Sequence, residues 1–387
     1  MSDTARGSAL IISASALKAW ARDVFLHEGL SAEDADLVAD VLVRADLRGV
    51  ESHGVIRIPV YVRRLRRGLI NARPAVRIVG EQGAVALVDG DNGMGQVVAA
   101  AAMKEAIRRA RQYGVGVVGC RNSNHFGMAA YFAMQALPHG MIGVALSNAP
   151  AAMPPWGGAV PYLGTNPLAV AVPSRGEPAI VLDMAMSVVA RGKIILAAQQ
   201  GAPIPPDWAV DAKGQATTDP LQALRGAVLP FGGPKGYALA VIVEVLAGVL
   251  TGAAFGPHVG RLYENSWSPQ RLGHLLAAVQ VESFLPLDVF LERIDQLIRE
   301  IRGVPPAAEG GRVYLPGERE WLTEQTRLRE GIPLAAAIVD ELRALTEEKG
   351  LPKLVMGEEI PERVRKEAVN GRGGEVPAKE DGERRLG

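Results

Sequence analysis

Four short segments of this chain concentrate polar and charged side chains within apolar surroundings. These side chains are Ser52, His53 and Arg57 in ESHGVIRIP, His125 in NSNHFG, Ser147 and Thr165 in SNAPAAMPPWGGAVPYLGTNP, and Asp183 in VLDMAMS with Lys235 in FGGPKG. A guanidinium binds a carboxylate through two hydrogen bonds, an imidazole exchanges a proton near neutral pH, and a lysine at a helix N-terminus holds a phosphate. Hydride transfer between a nicotinamide and a small 2-oxo acid requires these groups.

The first segment also has a spacing that favours this chemistry. His53 and Arg57 stand four residues apart, so they share one face if the segment opens the following helix. A protonated imidazole beside the bound carboxylate would stabilise the negative charge that develops on the carbonyl oxygen during reduction.

Two other interpretations use the same residues. In a hydrolase, Ser52, His53 and Asp183 would be the nucleophile, base and orienting acid. Adjacent serine and histidine side chains do not easily face each other, however, and the chain has no G-x-S-x-G turn. In a metal site, His53, His125 and Asp183 would be ligands, but the spacings H-x-x-x-H and H-E-x-x-H are absent. We therefore predict no metal, and the serine hydrolase stays a distant alternative.

The stretch GVGVVGCRNSNHFG contains the spacing G-x-G-x-x-G at Gly114, Gly116 and Gly119. This spacing binds a pyrophosphate where the glycines follow a strand and open a helix. Here the Ala-rich stretch AAAMKEAIRRARQY precedes the glycines, and the apolar, β-branched run VGVVGC continues from them. We therefore predict that Gly114 closes a helix and that a strand follows it.

The middle of the chain alternates short β-rich runs with glycine turns. The predicted strands are VRIVGE, AVALVDG, VGVVGC, MIGVALSN, LAVAVP, AIVLDMA and, later, LLAAVQV. Periodicity predicts helices within residues 14–47, in IPVYVRRLRRGLI, and over 288–302 and 333–349. Residues 197–232 are rich in Gly, Pro, Asp and Thr and predict a long surface loop. The pattern as a whole predicts a mixed α/β fold.

Composition limits the partners of the chain. It has 387 residues, with 42 Lys and Arg balancing 42 Asp and Glu, which gives no electrostatic reason to expect a nucleic acid or an anionic membrane as partner. The single cysteine, Cys120, suits a reducing compartment. The first residues lack the pattern of a secretory signal, so we predict a cytoplasmic location.

One segment has the apolar length of a membrane span. Residues 236–256, GYALAVIVEVLAGVLTGAAFG, are almost wholly apolar, but Glu244 stands at their centre. A charge there is costly in lipid, so we predict a buried core helix and no contact with a membrane.

The chain resembles the malate/L-lactate dehydrogenase type 2 family, which also includes ureidoglycolate and sulfolactate dehydrogenases, diketogulonate reductase and Δ1-piperideine-2-carboxylate reductase. The resemblance rests on SHGVIRIPVY, GVVGCRNSNHFGMAAYF, the PPWGG…LGTNPLAVAVP run, VLDMAMSVVARGKI and LPFGGPKGYALAVIVEVLAGVLTGA, which occur in the family's order. It extends from about residue 10 to about residue 350.

The resemblance implies a particular domain organisation. It implies a non-Rossmann NAD(P)-binding domain with a mixed sheet over residues 76–285, and a helical domain in which residues 1–75 pack with residues 286–350. It also implies a homodimer with active sites near the subunit interface. Residues 356–387 fall outside the resemblance, and their charged composition predicts disorder.

The resemblance also implies roles for individual residues. Ser52, His53 and Asp183 match a relay described in some members, Arg57 matches an arginine near substrate or cofactor, and His125 matches an acid/base in others. We keep both histidines as candidates for the proton transfer and slightly favour His53, because Arg57 lies on the same face. The residues that match cofactor contacts of the family are His125, Phe126, Gly127, Met128, Ser147, Thr165, Asp183, Met184, Ala185 and Lys235.

We therefore expect an oxidoreductase, dependent on NAD or NADP, that transfers a hydride between nicotinamide C4 and C2 of a small 2-hydroxy or 2-oxo acid, as malate and lactate dehydrogenases do. The alternative is a reductase of cyclic 2-imino acids, since a C=N carbon accepts a hydride in the same way. The substrate's side chain stays open, and so does the choice between NAD and NADP, because the acidic residue that marks NAD belongs to the Rossmann fold.

Overall fold

The computed structural model describes residues 10–263, 268–308, 310–347 and 351. The strands in these ranges are β1 (Leu10–Ile12), β2 (Arg77–Gln82), β3 (Val85–Asp89), β4 (Val115–Ser123), β5 (Met141–Ser147), β6 (Leu168–Val172), β7 (Ile180–Met184), β8 (Ala209–Val210), β9 (Ala227–Val228), β10 (Leu272–Gln280) and β11 (Ile332–Leu334). The α-helices are α1 (Ala14–His27), α2 (Ala32–Leu47), α3 (Ile58–Arg66), α4 (Gly95–Tyr113), α5 (Ala129–Met134), α6 (Arg191–Gln200), α7 (Pro220–Arg225), α8 (Pro234–Val243), α9 (Leu287–Arg302), α10 (Glu318–Glu330) and α11 (Ala336–Glu347).

A mixed sheet of seven strands lies at the centre of the described ranges, in the order β2-β3-β4-β10-β5-β6-β7. These are the seven strands predicted from the sequence, so the mixed α/β class is confirmed. β3 and β4 pair in parallel, and the other neighbouring strands pair antiparallel. In this register His274 of β10 lies opposite Ser147 of β5, and Leu272 lies opposite Ser123 of β4. The segments that follow β4 and β5 therefore leave the same edge of the sheet, on either side of β10.

Helix α4 ends at Gly114, as predicted. Gly114 has a φ of +81° and donates its N–H to the carbonyl of Ala110 at 2.8 Å. Gly116 lies so close to α4 that a Cβ atom there would collide with the carbonyl oxygen of Ala106. The free backbone groups at this end of a helix are carbonyls, so the G-x-G-x-x-G spacing packs a helix on a strand and offers no pyrophosphate site.

The N-terminal helices pack with the end of the described chain. β1 pairs antiparallel with β11, and side chains of α1, α2, α3 and α11 share one hydrophobic core. Glu324 of α10 pairs with Arg44 and Arg48 of α2. Helix α9 lies elsewhere, where Asp295 accepts two backbone N–H groups of the turn 174–177 at 3.1 and 2.9 Å.

The proposed domain boundaries, residues 1–75 with 286–350 and residues 76–285, stay predictions. The tail predicted to be disordered, residues 356–387, lies outside the described residues.

The prediction of one buried core helix over residues 236–256 is wrong in two respects. Helix α8 gives way to a π-helical turn at Glu244–Val249. One side of this element is buried, but on the other side Ile242, Val249 and Leu250 are 54%, 52% and 65% exposed in this chain. Hydropathy alone did not reveal which side the rest of the chain covers. No helix among the described residues is long and apolar enough to cross a membrane.

The prediction of a long loop over residues 197–232 is also wrong in part. This range contains the end of α6, the whole of α7 and a small antiparallel pair of strands, β8 and β9. Asp219 accepts a hydrogen bond from the N–H of Leu221 at 2.8 Å and so caps α7, which Pro220 begins. Proline and aspartate are signals of a helix start as well as of a loop, and here they begin a helix.

Candidate active site

Ser52, His53 and Arg57 lie on two consecutive 3₁₀ turns, Glu51–His53 and Val55–Arg57, that join α2 to α3. The Oγ atom of Ser52 lies 2.9 Å from Nδ1 of His53. Nε of Arg57 donates to the carbonyl oxygen of Ser52 at 2.6 Å. The expectation that adjacent serine and histidine side chains do not face each other is therefore wrong, because the tight turn brings them together.

His125 follows β4 and lies against the same turns. Its ring stacks on that of His53, with centroids 5.5 Å apart and an angle of 19° between the planes. Its backbone N–H donates to Oε1 of the buried Gln270 at 3.0 Å. Gly95, at the start of α4, lies so close that a Cβ atom there would collide with backbone atoms of Asn124 and His125. A strand end, a helix start and a buried amide thus fix the position of His125.

Tyr61 is a member of this group that the sequence analysis missed. Its hydroxyl lies 2.7 Å from Nδ1 of His125, and the side chain is 1% exposed. Burial raises the pKa of Tyr61 to about 12, so the hydroxyl keeps its proton at neutral pH. The signal was present, since Tyr61 stands four residues after Arg57 at the start of a helix. We call Ser52, His53, Arg57, Tyr61 and His125 the histidine cluster.

The electrostatics of the histidine cluster favour neutral imidazoles beside one cation. Desolvation, and then the charge of Arg57, lower the pKa of His53 to about 4. The same two causes hold the pKa of His125 well below its usual value. Burial also lowers the pKa of the Arg57 guanidinium, but arginine stays charged at neutral pH. The guanidinium lies over the ring of Tyr263, 5.2 Å from its centroid, so the site presents a fixed positive charge to an anionic ligand.

A third histidine, His274, is fully buried beside the cluster. Its two ring nitrogens lie 2.9 Å from Oγ of Ser147 and 2.7 Å from Oγ of Ser123. Its ring stacks on Phe126, with centroids 4.7 Å apart. Burial lowers the pKa of His274 to about 3, so this imidazole is neutral and ties the ends of β4 and β5 to β10. His274 was not among the predicted site residues, because it lies within a strand.

Several residues that match cofactor contacts of the resembled family face the core. The side chains of Phe126, Met128 and Ser147 are each 2% exposed. Gly127 between them has a φ of +85°, a conformation that glycine adopts without strain.

Asp183 lies apart from the hydrogen bonds of the histidine cluster. Its Oδ2 atom accepts the N–H of Ala130, at the start of α5, at 3.0 Å. Desolvation raises the pKa of Asp183 to about 6. Within the described ranges Asp183 has no hydrogen bond to His53, and the Ser52–His53–Asp183 relay stays a prediction. The described residues also contain no group of three or more His, Cys, Asp and Glu side chains placed to hold a metal.

Thr165, Met184, Ala185 and Lys235 gather at the end of β7, near the segment FGGPKG, residues 231–236, which we call the lysine turn. The carbonyl of Thr165 accepts the N–H of Met186 at 2.7 Å, and the carbonyl of Met186 accepts the N–H of Phe231 at 3.0 Å. Gly232 and Gly233 have φ values of +58° and +64°, and α8 starts directly after them. Lys235 is exposed in its first turn. A glycine-rich turn that opens a helix has the free N–H groups, and here the positive charge, that a phosphate requires.

Comparison with known proteins identifies relatives over most of the chain. The malate/L-lactate dehydrogenase family model matches residues 12–343. The chain is 41% identical over 334 residues to a malate dehydrogenase of Pyrococcus abyssi, covering 84% of this chain and 91% of that protein. It is 38% identical over 314 residues to the ureidoglycolate dehydrogenase (NAD(+)) of Escherichia coli O157:H7, covering 81% and 88%. It is 38% identical over 316 residues to the (2R)-3-sulfolactate dehydrogenase (NADP(+)) of Chromohalobacter salexigens, covering 82% and 92%.

Solved structures agree with these relatives. The malate dehydrogenase from Pyrococcus horikoshii OT3 superposes with a TM-score of 0.82 at 37% identity, covering 91% of this chain and 100% of that chain. A Δ1-piperideine-2-carboxylate reductase from Pseudomonas syringae superposes with a TM-score of 0.77 at 32% identity, covering 87% and 99%.

Proposed function

The chain belongs to the malate/L-lactate dehydrogenase family, and from this premise we propose that it transfers a hydride between NAD or NADP and C2 of a small 2-hydroxy or 2-oxo acid. One observation carries the proposal. His53 and His125 stack on each other, each has a hydroxyl on its Nδ1 atom, and Arg57 lies on the same turns as His53. This arrangement leaves both Nε2 atoms for substrate beside a cation that binds carboxylate.

The residues of the histidine cluster have separate roles toward the substrate acid. Arg57 binds the substrate carboxylate and so fixes the position of C2. In the oxidation of a hydroxy acid, a neutral imidazole accepts the hydroxyl proton on Nε2. In the reverse direction the imidazolium returns this proton to the carbonyl oxygen and stabilises its negative charge. The nicotinamide, when bound, accepts or supplies the hydride.

Either histidine has the chemistry for the proton transfer. The Tyr61 hydroxyl and the Ser52 hydroxyl each hold one Nδ1 atom, and such a contact fixes the ring orientation and the tautomer. His53 is the slightly favoured candidate because Arg57 lies on the same turns. Ser52 and Tyr61 then act by orienting the two rings.

The lysine turn fits the phosphates of the coenzyme. The N–H groups of Lys235 and Gly236 in the first turn of α8, with the exposed charge of Lys235, are donors of the kind that a pyrophosphate requires. Thr165, Asp183, Met184 and Ala185 would line the coenzyme beside it, and the backbone of residues 125–128 would border the nicotinamide. The relatives' names include both NAD(+) and NADP(+), so we propose one or the other.

We also propose that the dinucleotide binds to a fold other than the Rossmann fold, in a domain formed by residues 76–285. Support comes from the sheet, in which β3 and β4 are the parallel pair among the described strands, and from Gly114, which closes a helix. Residues 1–75 and 286–350 would form the helical domain.

The exposed apolar side of α8 and its π-helical turn supports a homodimer. Leu239, Ile242, Val245, Val249 and Leu250 are all at least 43% exposed in this chain, and contiguous apolar patches of this kind mark interfaces. We propose that a second copy covers them. Light scattering of the purified protein will give the mass of a dimer, and Ile242→Glu will shift it toward the monomer.

The cytoplasm is our proposed compartment. It is supported by the single cysteine, Cys120, which is free and fully buried. A chain with one cysteine has no internal disulfide, and this suits a reducing compartment. Labelling of the tagged protein in cell fractions will test this location.

A second candidate function is reduction of a cyclic 2-imino acid. The observation that favours it is the structural match to a Δ1-piperideine-2-carboxylate reductase. Arg57 and the histidines would serve this reaction equally, because the carboxylate and the acceptor carbon occupy the same relative positions.

The proposed function is tested by titrating the purified protein with NADH and NADPH separately, using nucleotide fluorescence. Turnover is then measured with oxaloacetate, pyruvate and Δ1-piperideine-2-carboxylate. We expect tight binding of at least one nucleotide and turnover of at least one acid, which identifies the coenzyme and the substrate class together. Binding of neither nucleotide would overturn the proposal.

A further inference from the structure

Asp46 is a buried carboxylate directly behind the turns that carry the catalytic candidates. It lies at the end of α2 and is 1% exposed. Its Oδ2 atom accepts the N–H of Val55, between His53 and Arg57, at 2.8 Å. The carboxylate therefore binds the backbone near the centre of the segment 51–57.

Gly54 shows how closely the carboxylate of Asp46 packs against the backbone of this segment. A Cβ atom on Gly54 would collide with the three terminal side-chain atoms of Asp46, namely Cγ, Oδ1 and Oδ2. The φ of Gly54 is −87°, which other residues adopt, so backbone conformation is not what requires glycine here. The carboxylate of Asp46 occupies the space that a side chain at position 54 would need.

Arg327 of α10 also holds this turn. Its guanidinium donates to the carbonyl oxygen of Asp46 and, at 2.6 Å, to Oε1 of Glu51. The segment that begins at Glu51 is thus fixed at its start by Arg327 and in its middle by Asp46.

We propose that Asp46 is a positioning residue, whose carboxylate sets the backbone of residues 51–57 so that Ser52, His53 and Arg57 face the substrate. This inference rests on the proposed function. Asp46 lies behind the turn and acts through the backbone of Val55. Because a displacement of about 1 Å at a reacting group lowers the rate roughly 100-fold, a carboxylate that fixes this backbone controls turnover.

The test compares Asp46→Ala, Asp46→Asn and Gly54→Ala with the wild type. Asp46→Ala removes the acceptor, and we expect kcat to fall by about 10- to 100-fold and KM for the acid to rise, with the Kd for the reduced nucleotide unchanged. Asp46→Asn keeps an oxygen in the same place, and we expect it to retain kcat within about threefold. Equal losses in Asp46→Ala and Asp46→Asn would overturn the proposal, as would full activity of Asp46→Ala.

Gly54→Ala is the matched variant on the other side of the contact. We expect it to lose activity as Asp46→Ala does, because the added methyl group displaces the carboxylate. In the double variant Asp46→Ala/Gly54→Ala the methyl group has room, so the losses will not add. Additive losses would contradict the inference. If Asp46→Ala does not fold, Asp46→Asn and Gly54→Ala decide it: activity retained in the first and lost in the second supports it, and any other pair of results overturns it.

An NMR titration separates failure of this inference from failure of the proposed function. The ring of His53 has a pKa lowered to about 4 by desolvation and by Arg57. If Asp46 positions the turn, Asp46→Ala will move this pKa toward 6.5, and Asp46→Asn will leave it in place. This readout does not depend on turnover, so an unchanged His53 titration in Asp46→Ala overturns the inference even where the wild type is active.

Discussion

The histidine cluster and the lysine turn are held in different ways. In the cluster, hydroxyls lie 2.9 and 2.7 Å from the Nδ1 atoms of His53 and His125, and desolvation lowers the pKa of both rings. In the lysine turn, Lys235 is exposed and a side chain at Gly232 would meet open space. Side-chain contacts fix the histidine cluster, whereas backbone conformation shapes the lysine turn.

The difference corresponds to two chemical tasks. Proton transfer requires a donor and an acceptor at hydrogen-bond distance in a defined orientation, whereas a phosphate is bound by charge and by backbone N–H groups around it. We therefore expect substitutions in the cluster to change turnover, and substitutions in the lysine turn to change coenzyme affinity.

The largest effect is expected at the histidines. His53→Asn and His125→Asn each remove a ring that orients or exchanges the proton, and the one that transfers it will lower kcat by about 100- to 10,000-fold. The Kd of the reduced nucleotide, measured by fluorescence, will stay within about threefold. The comparison fails if both variants keep more than a tenth of the wild-type kcat, or if coenzyme affinity falls in parallel.

The next largest effect is expected at Arg57, on binding of the acid. Hydrogen bonds to charged groups contribute about 1.5–3 kcal/mol each, so Arg57→Ala will raise KM for the acid by about 10- to 100-fold. Arg57→Lys is the control, because it keeps the charge but loses the paired N–H groups. We expect it to recover less than a tenth of the lost kcat/KM. Full recovery in Arg57→Lys would show that charge alone suffices.

Lys235 is expected to have a smaller effect, confined to the coenzyme. Lys235→Ala will raise the Kd of the nucleotide by about fivefold, since one exposed ion pair with phosphate is worth about 1 kcal/mol, and kcat at saturation will not change. Because salt screens exposed charges, the difference from wild type will shrink as ionic strength rises. Lys104→Ala, at an exposed position of α4, is the matched control and will leave the Kd unchanged.

The sequence predicted the sheet better than its surroundings. All seven strands were found because β-branched and apolar runs bounded by glycine are a strong local signal. Helix α10 was missed because its sequence, EREWLTEQTRLRE, has few apolar residues, and ion pairs such as Glu324 with Arg48 hold it in place. Such pairs join residues far apart in sequence, so local patterns do not reveal them.

The candidate site was predicted by residue type but not by arrangement. His53, Arg57 and His125 were identified from their chemistry, and the structure brings them together. Tyr61 was missed because a tyrosine in an amphipathic helix resembles core. Asp183 was grouped with His53, but its carboxylate binds the N–H of Ala130. Which groups meet depends on tertiary contacts that a single sequence does not display.

The smallest effect concerns stability, and it tests the electrostatic part of the comparison. Desolvation raises the pKa of Asp46, behind the cluster, to about 7 from its usual 3.8. The folded chain therefore holds this proton more tightly than the unfolded chain, so the stability that the neutral form confers is complete below about pH 4 and is lost as the pH rises to 7. Asp46→Asn is neutral at every pH and avoids this loss. Since a change of 1 kcal/mol shifts Tm by roughly 1 °C in a chain of 387 residues, we expect Asp46→Asn to exceed the wild-type Tm by about 5 °C at pH 8 and by only about 1 °C at pH 4.5.

Lys235→Ala provides the contrast for this measurement. Because Lys235 is exposed, its removal will shift Tm by the same small amount at pH 4.5 and pH 8 in scanning calorimetry. Asp183, whose pKa desolvation raises to about 6, adds a pH dependence that wild type and both variants share, so each difference is taken at a single pH. If Asp46→Asn raised Tm equally at the two pH values, its gain would come from packing rather than from charge, and burial would no longer distinguish the turn behind the histidine cluster from the lysine turn.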